Sequence, residues 1–338
     1  MDIFSTAVLG HVVANLKRPA LFLLNNFFKQ EQRENTEEIH FEIEHGRRKI
    51  APFVSPLRAG KIITAEGSTV RSLKPAYIKP KTPFKPNAPL RRAIGERIGG
   101  ELTPEQRLQA NLARTLLDHV TQIDRRLEWM AARAMIDGRY VISGDGYPEA
   151  LIDFQRDPAL RIVKAPGARW GDAGINPLDD LQDWALLAAQ KSGVYTSDVV
   201  MDPDAWKRFR SNPNVKERWN SLNGNISSLK PAAAGDGAKY MGSIDGFEIY
   251  TYADWFVDPV DDVEKPLLPS GTVLMSSFGG LEGYRAFGAI HDEKAGYQAV
   301  PYFPKSWVEE DPAVRWVLTQ SAPLVVPYRV NASVSATV

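Results

Sequence analysis

The chain has 338 residues, 43% hydrophobic and 24% charged, with no cysteine, five histidines and a formal net charge of zero. These totals fit an ordinary foldable protein of two domains or one large one, and they exclude a disulfide framework, thiolate metal sites and a cysteine nucleophile. No apolar run approaches about eighteen residues, and the N-terminal stretch has no charged segment leading into an apolar core, so no membrane span and no secretion signal are expected, and the protein is expected to stay in a cytoplasm.

The charge is unevenly spread. Between Gly46 and Gly100 thirteen basic residues face only Glu66 and Glu96, a surplus of eleven positive charges that the rest of the chain must cancel. Two readings stay open: a basic arm that holds nucleic acid on an acidic body, or a limb of one copy lying on the body of the next.

In chain order, residues 1–30 carry a mixed helical pattern with a dense apolar cluster of Leu21, Phe22, Leu23, Leu24, Phe27 and Phe28. A cluster so close to a terminus must dock on its own body or on a neighbour. Ile39, Phe41 and Ile43 then alternate with His40, Glu42 and Glu44, the pattern of a half-buried strand. His40 and His45 read as surface residues, not metal ligands. Residues 46–100 hold seven prolines. Lys61–Thr64 and Thr69–Leu73, on either side of Glu66-Gly67-Ser68, read as a two-stranded ribbon. Lys79-Pro80-Lys81-Thr82-Pro83 should be extended, because proline fixes φ and biases its predecessor. A ribbon alone buries too little to be stable, so the limb is expected to lean on a partner. Its apolar residues, Tyr77 and Ile78 among them, argue against a disordered linker.

The chain is organised around Thr103–Gly138. Thr103 suits the N-cap, Pro104 the first helical position and Gln106 the capping box. Leu108, Leu112, Leu116, Val120, Ile123, Leu127, Met130 and Ala134 fall on one arc of roughly 120°. Arg107, Arg114, Asp118, Arg125 and Glu128 are expected on the opposite, polar side, as is Trp129, which should be covered by the arm or the loop. Gly138 suits the stop. At about 1.5 Å per residue the rod is roughly 50 Å long, a spine that needs something equally long beside it.

Beyond it, Arg139–Ser143 and Ala150–Phe154 flank Gly144-Asp145-Gly146, a hairpin with turn chemistry in place. Asn176-Pro177 opens a second helix ending near Gly193, Val199–Met201 reads as a buried strand, and Asp202-Pro203-Asp204 leads into a helix with Trp206 and Phe209 on one face. Phe247–Ala253, Thr272–Ser276 and Tyr284–Ile290 are strand-like, whereas Gly224–Gly237 reads as a loop. Asp258, Asp261, Asp262 and Glu264 read as a solvated acidic surface. In the C-terminal part, Arg315–Gln320, Leu324–Val326 and Arg329–Val334 read as strands that return to pair with the hairpin near the spine. No phosphate loop, dinucleotide fingerprint, nucleophile elbow or zinc signature is present, so no catalytic, cofactor or metal residues are assigned and no enzyme is expected.

Phe53-Val54-Ser55-Pro56, Tyr77-Ile78-Lys79-Pro80-Lys81, Leu90-Arg91-Arg92, Asp202-Pro203 with Trp206 and Phe209, Pro304-Lys305-Ser306-Trp307 and Gln320-Ser321-Ala322-Pro323-Leu324, together with the Pro19–Phe28 cluster, resemble the major capsid proteins of lambda-like tailed phages. The resemblance implies an α+β, HK97-like phage capsid fold with a long spine helix, an extended two-stranded loop and an inserted α+β domain. It divides the chain into an N-terminal arm (1–45), extended loop (46–100), peripheral domain with the spine (101–176), axial domain (177–311) and C-terminal strands (312–338). It further implies a virion shell protein that self-assembles into pentamers and hexamers in the host cytoplasm, first as a procapsid and then as a DNA-filled head. Its partners would be itself, scaffold and portal proteins and a decoration protein, with DNA enclosed but not read and no membrane. Arg91, Arg92, Lys79, Lys81, Tyr77, Trp129, Phe27 and Phe28 are the expected inter-subunit contacts.

Overall fold

The spine is one unbroken helix, α3 (Pro104–Asp137). Thr103 and Gln106 close a reciprocal capping box: the Gln106 N–H donates to Thr103 Oγ1 at 3.2 Å and the Thr103 N–H donates to Gln106 Oε1 at 2.9 Å. Gly138 ends the helix at φ 67°, a left-handed conformation that glycine adopts without strain. Arg156 then donates to the terminal carbonyls of Met135 at 2.5 Å and Ile136 at 2.6 Å and to Ser335 Oγ at 3.0 Å, satisfying helix-end acceptors that lack intrahelical donors.

The computed structural model describes residues 3–16, 21–43, 69–84, 102–144, 146–221, 228–235, 237–311 and 314–338. Ahead of the spine lie α1 (Thr6–Asn15), α2 (Phe22–Phe27), β1 (Gln30–Glu34), β2 (Ile39–Ile43), β3 (Thr69–Leu73) and β4 (Lys81–Phe84). After it come β5 (Arg139–Gly144), β6 (Tyr147–Asp153), β7 (Arg161–Val163), α4 (Pro177–Ser192), β8 (Asp198–Met201), α5 (Pro203–Ser211) and α6 (Pro213–Ser221). Next are β9 (Ser228–Gly235), β10 (Ala238–Ile244), β11 (Phe247–Tyr252), β12 (Trp255–Val257), β13 (Glu264–Pro266), β14 (Thr272–Ser276) and β15 (Tyr284–Gly288). The chain closes with β16 (Phe303–Glu309), β17 (Val314–Gln320), β18 (Pro323–Val326) and β19 (Val334–Thr337).

The spine crosses two cores. Its first half buries Leu112, Leu116 and Val120 against Leu9 and Val13 of α1, Phe84 of β4 and Val317 of β17. Its second half buries Ile123, Leu127, Met130 and Ala134 with α2, β2, β15 and β18. A seven-stranded mixed sheet, in the order β7-β19-β14-β8-β11-β10-β9, stands beside it. Alternation along the strands splits its faces. Val199, Met201, Val273 and Met275 pack under α4 and α5, while Val200 and Leu274 join the spine-side core.

Several expectations shift. β3 pairs with β2 in the register Ile43↔Thr69 to Ile39↔Leu73; the other half of the expected ribbon, Lys61–Thr64, lies outside the described residues. β9 occupies ground read as a loop and lies at the sheet edge, the position where a strand proline such as Pro231 costs no ladder bond. The C-terminal strands pair elsewhere than with the β5–β6 hairpin. β17 pairs with β16 and β4, β18 with β15, and β19 with β14 and β7. A 3-10 turn at Val330–Ala332 interrupts the last expected strand. Two strands of the large sheet, β7 and β19, thus come from outside residues 177–311.

Both spine ends are testable. Thr103→Ala should lower the stability of the unassembled subunit by about 1 kcal/mol through loss of the cap. Gly138→Ala places a Cβ 2.8 Å from Arg156 Cβ at positive φ and should cost about 1–3 kcal/mol. Urea midpoints at constant slope provide the measurement.

Candidate functional site

The α2 helix begins at an N-cap, Leu21, whose side chain cannot accept a hydrogen bond. The cap is supplied from the spine. Glu128 accepts from the Leu23 N–H at 2.7 Å and the Leu24 N–H at 3.0 Å, and from the Tyr252 hydroxyl of β11 at 2.9 Å. One carboxylate therefore joins the N-terminal arm, the spine and the large sheet. Sequence periodicity put Glu128 on the polar side, yet it is 0% exposed, because α2 and β11 enclose the spine on a second flank. Burial pushes its carboxyl up to about 7, outweighing the donors from Leu23, Leu24 and Tyr252, and the charge of Asp254 adds to the rise. Burial and the Glu128 charge likewise push the Tyr252 phenol far up.

Around this clamp Phe22 packs on Tyr250 and Tyr252 at ring separations of 5.5 and 5.6 Å, and Phe27 meets Phe278 edge-on at 5.1 Å. Phe28 approaches so closely that a Cβ at Gly283 would lie 2.5 Å from its ring. Phe27 and Phe28, expected at a subunit contact, are 2% and 0% exposed within a single chain. Within the single chain both anchor the arm in the subunit's own core.

The limb is also tied down over residues 69–84. β4 adds to β17 as a third strand, and Ile78 bridges to Ser321. The Tyr77 hydroxyl donates to the Ala289 carbonyl at 2.5 Å and accepts from the His291 N–H at 3.1 Å. Lys79 Nζ lies 4.7 Å from the Tyr77 ring centre, and Lys81 Nζ sits 3.7 Å from Trp316 and 5.0 Å from Trp307, cation–π geometry. Buried His119 of the spine bonds Thr82 at 2.8 Å and Thr319 at 3.1 Å. Desolvation lowers its pKa, partly opposed by Asp118. Tyr77 and Lys81 thus have partners inside their own subunit. Arg91 and Arg92 lie outside the described residues.

Trp129 sits half-buried on the spine, edge-on to Tyr140 at 6.4 Å, with the Arg126 and Arg133 guanidiniums 5.1 and 6.0 Å from its ring. It floors a groove of about 710 Å³ that runs along the second half of the spine, walled by Tyr77 and Lys79, the β5–β6 hairpin and the β12–β13 loop. Three expected contact residues, Tyr77, Lys79 and Trp129, therefore meet in one place. The rim is apolar and exposed: Val141 is 38%, Leu151 57% and Val260 88% exposed. The acidic cluster beside it is drawn onto Lys265, 2.7 Å from Asp258 and 2.6 Å from Asp261, which lowers both aspartates. Among the described residues no helix is long and apolar enough to cross a membrane.

The profile of the family described as phage major capsid protein E matches residues 5–338. The major capsid protein of Escherichia phage N15 is 30% identical over 335 residues, and that of Escherichia phage lambda is 30% identical over 338, each alignment covering 96% of both chains. A crystal structure of a prophage capsid protein from Escherichia coli CFT073 superposes with a TM-score of 0.75 at 22% identity, covering 98% of each chain. The asymmetric unit of the bacteriophage PhiM1 mature capsid superposes at 0.51 and 12% identity, covering 96% of this chain and 88% of that one. At these identities the superpositions speak to the fold, which is of the HK97 type.

The Glu128 clamp generates a prediction with a definite sign. A carboxyl raised when folded contributes stability below its unfolded pKa that is lost as pH rises through about 7. Glu128→Gln turns an amide N–H₂ toward a backbone donor and should cost about 1–3 kcal/mol. Its deficit against the wild type should shrink between pH 5 and pH 8, as denaturant titrations at the two pH values will read.

Proposed function

Because the chain belongs to the phage major capsid protein E family, we propose that its copies grip one another through the basic stretches flanking residues 69–84. It is a structural protein that builds the icosahedral phage head from pentamers and hexamers.

One observation carries it: the register that pairs Ile43 with Thr69, together with the pairing of Phe84 to Arg315. Residues 69–84 are spent on their own subunit, so the part to be lent is what leaves and re-enters at those anchored points. The stretches 46–68 and 85–100 hold Arg47, Arg48, Lys49, Arg58, Lys61, Lys85, Arg91, Arg92 and Arg97. Laid over the acidic surface of an adjacent body outside its spine groove, they attract it while the protein's total charge stays zero. A single exposed ion pair is worth only about 0–1 kcal/mol. Many such contacts in a closed lattice act together, because each holds the next at high effective concentration.

On this reading no catalytic chemistry is required of the chain. Scaffold, portal and decoration proteins are the partners such a shell takes, assembly runs in the host cytoplasm, and DNA is enclosed without being read. A wall of zero net charge suits that, since phosphate binding rises with each cation committed to it.

Arg91→Glu with Arg92→Glu should leave the subunit folded, with a urea midpoint equivalent to within about 0.5 kcal/mol of the wild type, yet abolish closed shells in negative-stain electron micrographs. Normal shells from the folded double variant would contradict the reading.

A further inference from the structure

The groove along the spine wants an anion. Arg126 lines it with its guanidinium stacked on Trp129, and desolvation lowers its pKa against the field of Asp258. Asp258 acts on Arg126 only through its field, because both carboxylates in the groove are ion-paired with other cations. Asp258 is held by Lys265 at 2.7 Å, and Asp137 by Arg161 at 2.9 Å and Arg133 at 3.8 Å. Lys79 and Arg139 line the same groove, and among the described residues no carboxylate is within 4.0 Å of either or of Arg126. A half-desolvated guanidinium without a carboxylate is costly, and a bidentate carboxylate is its best complement. The apolar rim adds a second requirement: the visitor must carry an aliphatic side chain next to its acids. A strongly basic loop fits neither.

The chain itself holds a segment that meets both requirements. Where β16 ends, Val308 is 52% exposed and is followed by Glu309, Glu310 and Asp311, all exposed. Glu309 accepts the Trp316 indole N–H at 2.7 Å. Glu310 and Asp311 have no cation within ion-pair distance among the described residues. This hairpin packs beside the first half of its own spine, through Val317 and the Arg315–Phe4 contact at 4.0 Å. The groove lies along the second half, so a visit is most simply made to a different copy. Such a contact uses two different patches, and repeated around an axis it closes rings.

We propose that the acidic end of the β16–β17 hairpin of one subunit seats in the spine groove of an adjacent subunit, with Glu310 and Asp311 on Arg126 and Lys79 and Val308 against Leu151 and Val260. The contact rests on the shell-building reading above, and it differs from the basic stretches in sign: here the groove is the cation and the visitor the anion.

The absence of native cysteine makes the contact directly readable. Two single-cysteine proteins, Leu151→Cys and Val308→Cys, are mixed under assembly conditions, oxidised and run on a non-reducing gel, both as the soluble pool and as purified particles. The mixed disulfide dimer should exceed either same-variant dimer at least tenfold. Arg126→Glu in the Leu151→Cys partner should cut it at least tenfold, and Glu310→Arg with Asp311→Arg in the Val308→Cys partner should restore it. No excess of the mixed dimer in either pool, or a yield indifferent to Arg126→Glu, would overturn the proposal. Particles that form without the mixed dimer would leave the shell reading standing and remove this contact alone.

Discussion

A single buried carboxylate sets the geometry of this subunit. Glu128 satisfies the first free N–H groups of a helix that cannot cap itself and takes a tyrosine hydroxyl from the large sheet, so three segments more than a hundred positions apart meet on one side chain. The donors leave its oxygens hydrogen-bonded although the group is fully buried, while burial still holds the carboxyl up at about 7. This clamp seats α2 and its phenylalanines in the core and ties β11 of the large sheet to the spine. The limb is secured separately, through His119, Thr82 and the tryptophan pair around Lys81.

Residues 69–84 pair within their own subunit, which is why the shared part of the limb is proposed to lie in its two flanks. The two proposed contacts have opposite sense: basic stretches on an acidic body, and a carboxylate-tipped hairpin in a groove lined by Arg126 and Lys79. Two contacts of opposite sense specify relative orientation better than one, because a slip that improves one pairing spoils the other.

The local part of this fold was legible in the sequence. Thr103, Gln106 and Gly138 mark the ends of the spine, and Asn176, Gly193 and Asp202 mark those of α4 and α5, because caps and stops act within one turn. The alternation at Ile39, Phe41 and Ile43 identified β2. The long-range part was not. Periodicity sees one oily stripe and assigns the remainder to water, so Glu128 was placed in solvent and Phe27 and Phe28 were left between core and contact. Pairing across hundreds of residues, as between β19 and β14, or the addition of β4 to β17, leaves no local mark. Weakly patterned β9 was hidden by its proline and alanines. Of the surface itself, Tyr77, Lys79 and Trp129 were identifiable as two aromatics and a cation on and beside the limb, but the β5–β6 and β12–β13 walls that make a groove of them are products of tertiary packing.

The central claim is that the subunit keeps residues 69–84 for itself and lends the basic stretches on either side. A cryo-electron microscopy map of assembled particles, at a resolution that traces the backbone, tests it most directly. The account predicts β4 paired to β17 of its own chain, with residues 46–68 and 85–100 resting on the adjacent copy. A map in which those stretches fold back onto their own subunit, or in which β4 is donated to a neighbour, would contradict it.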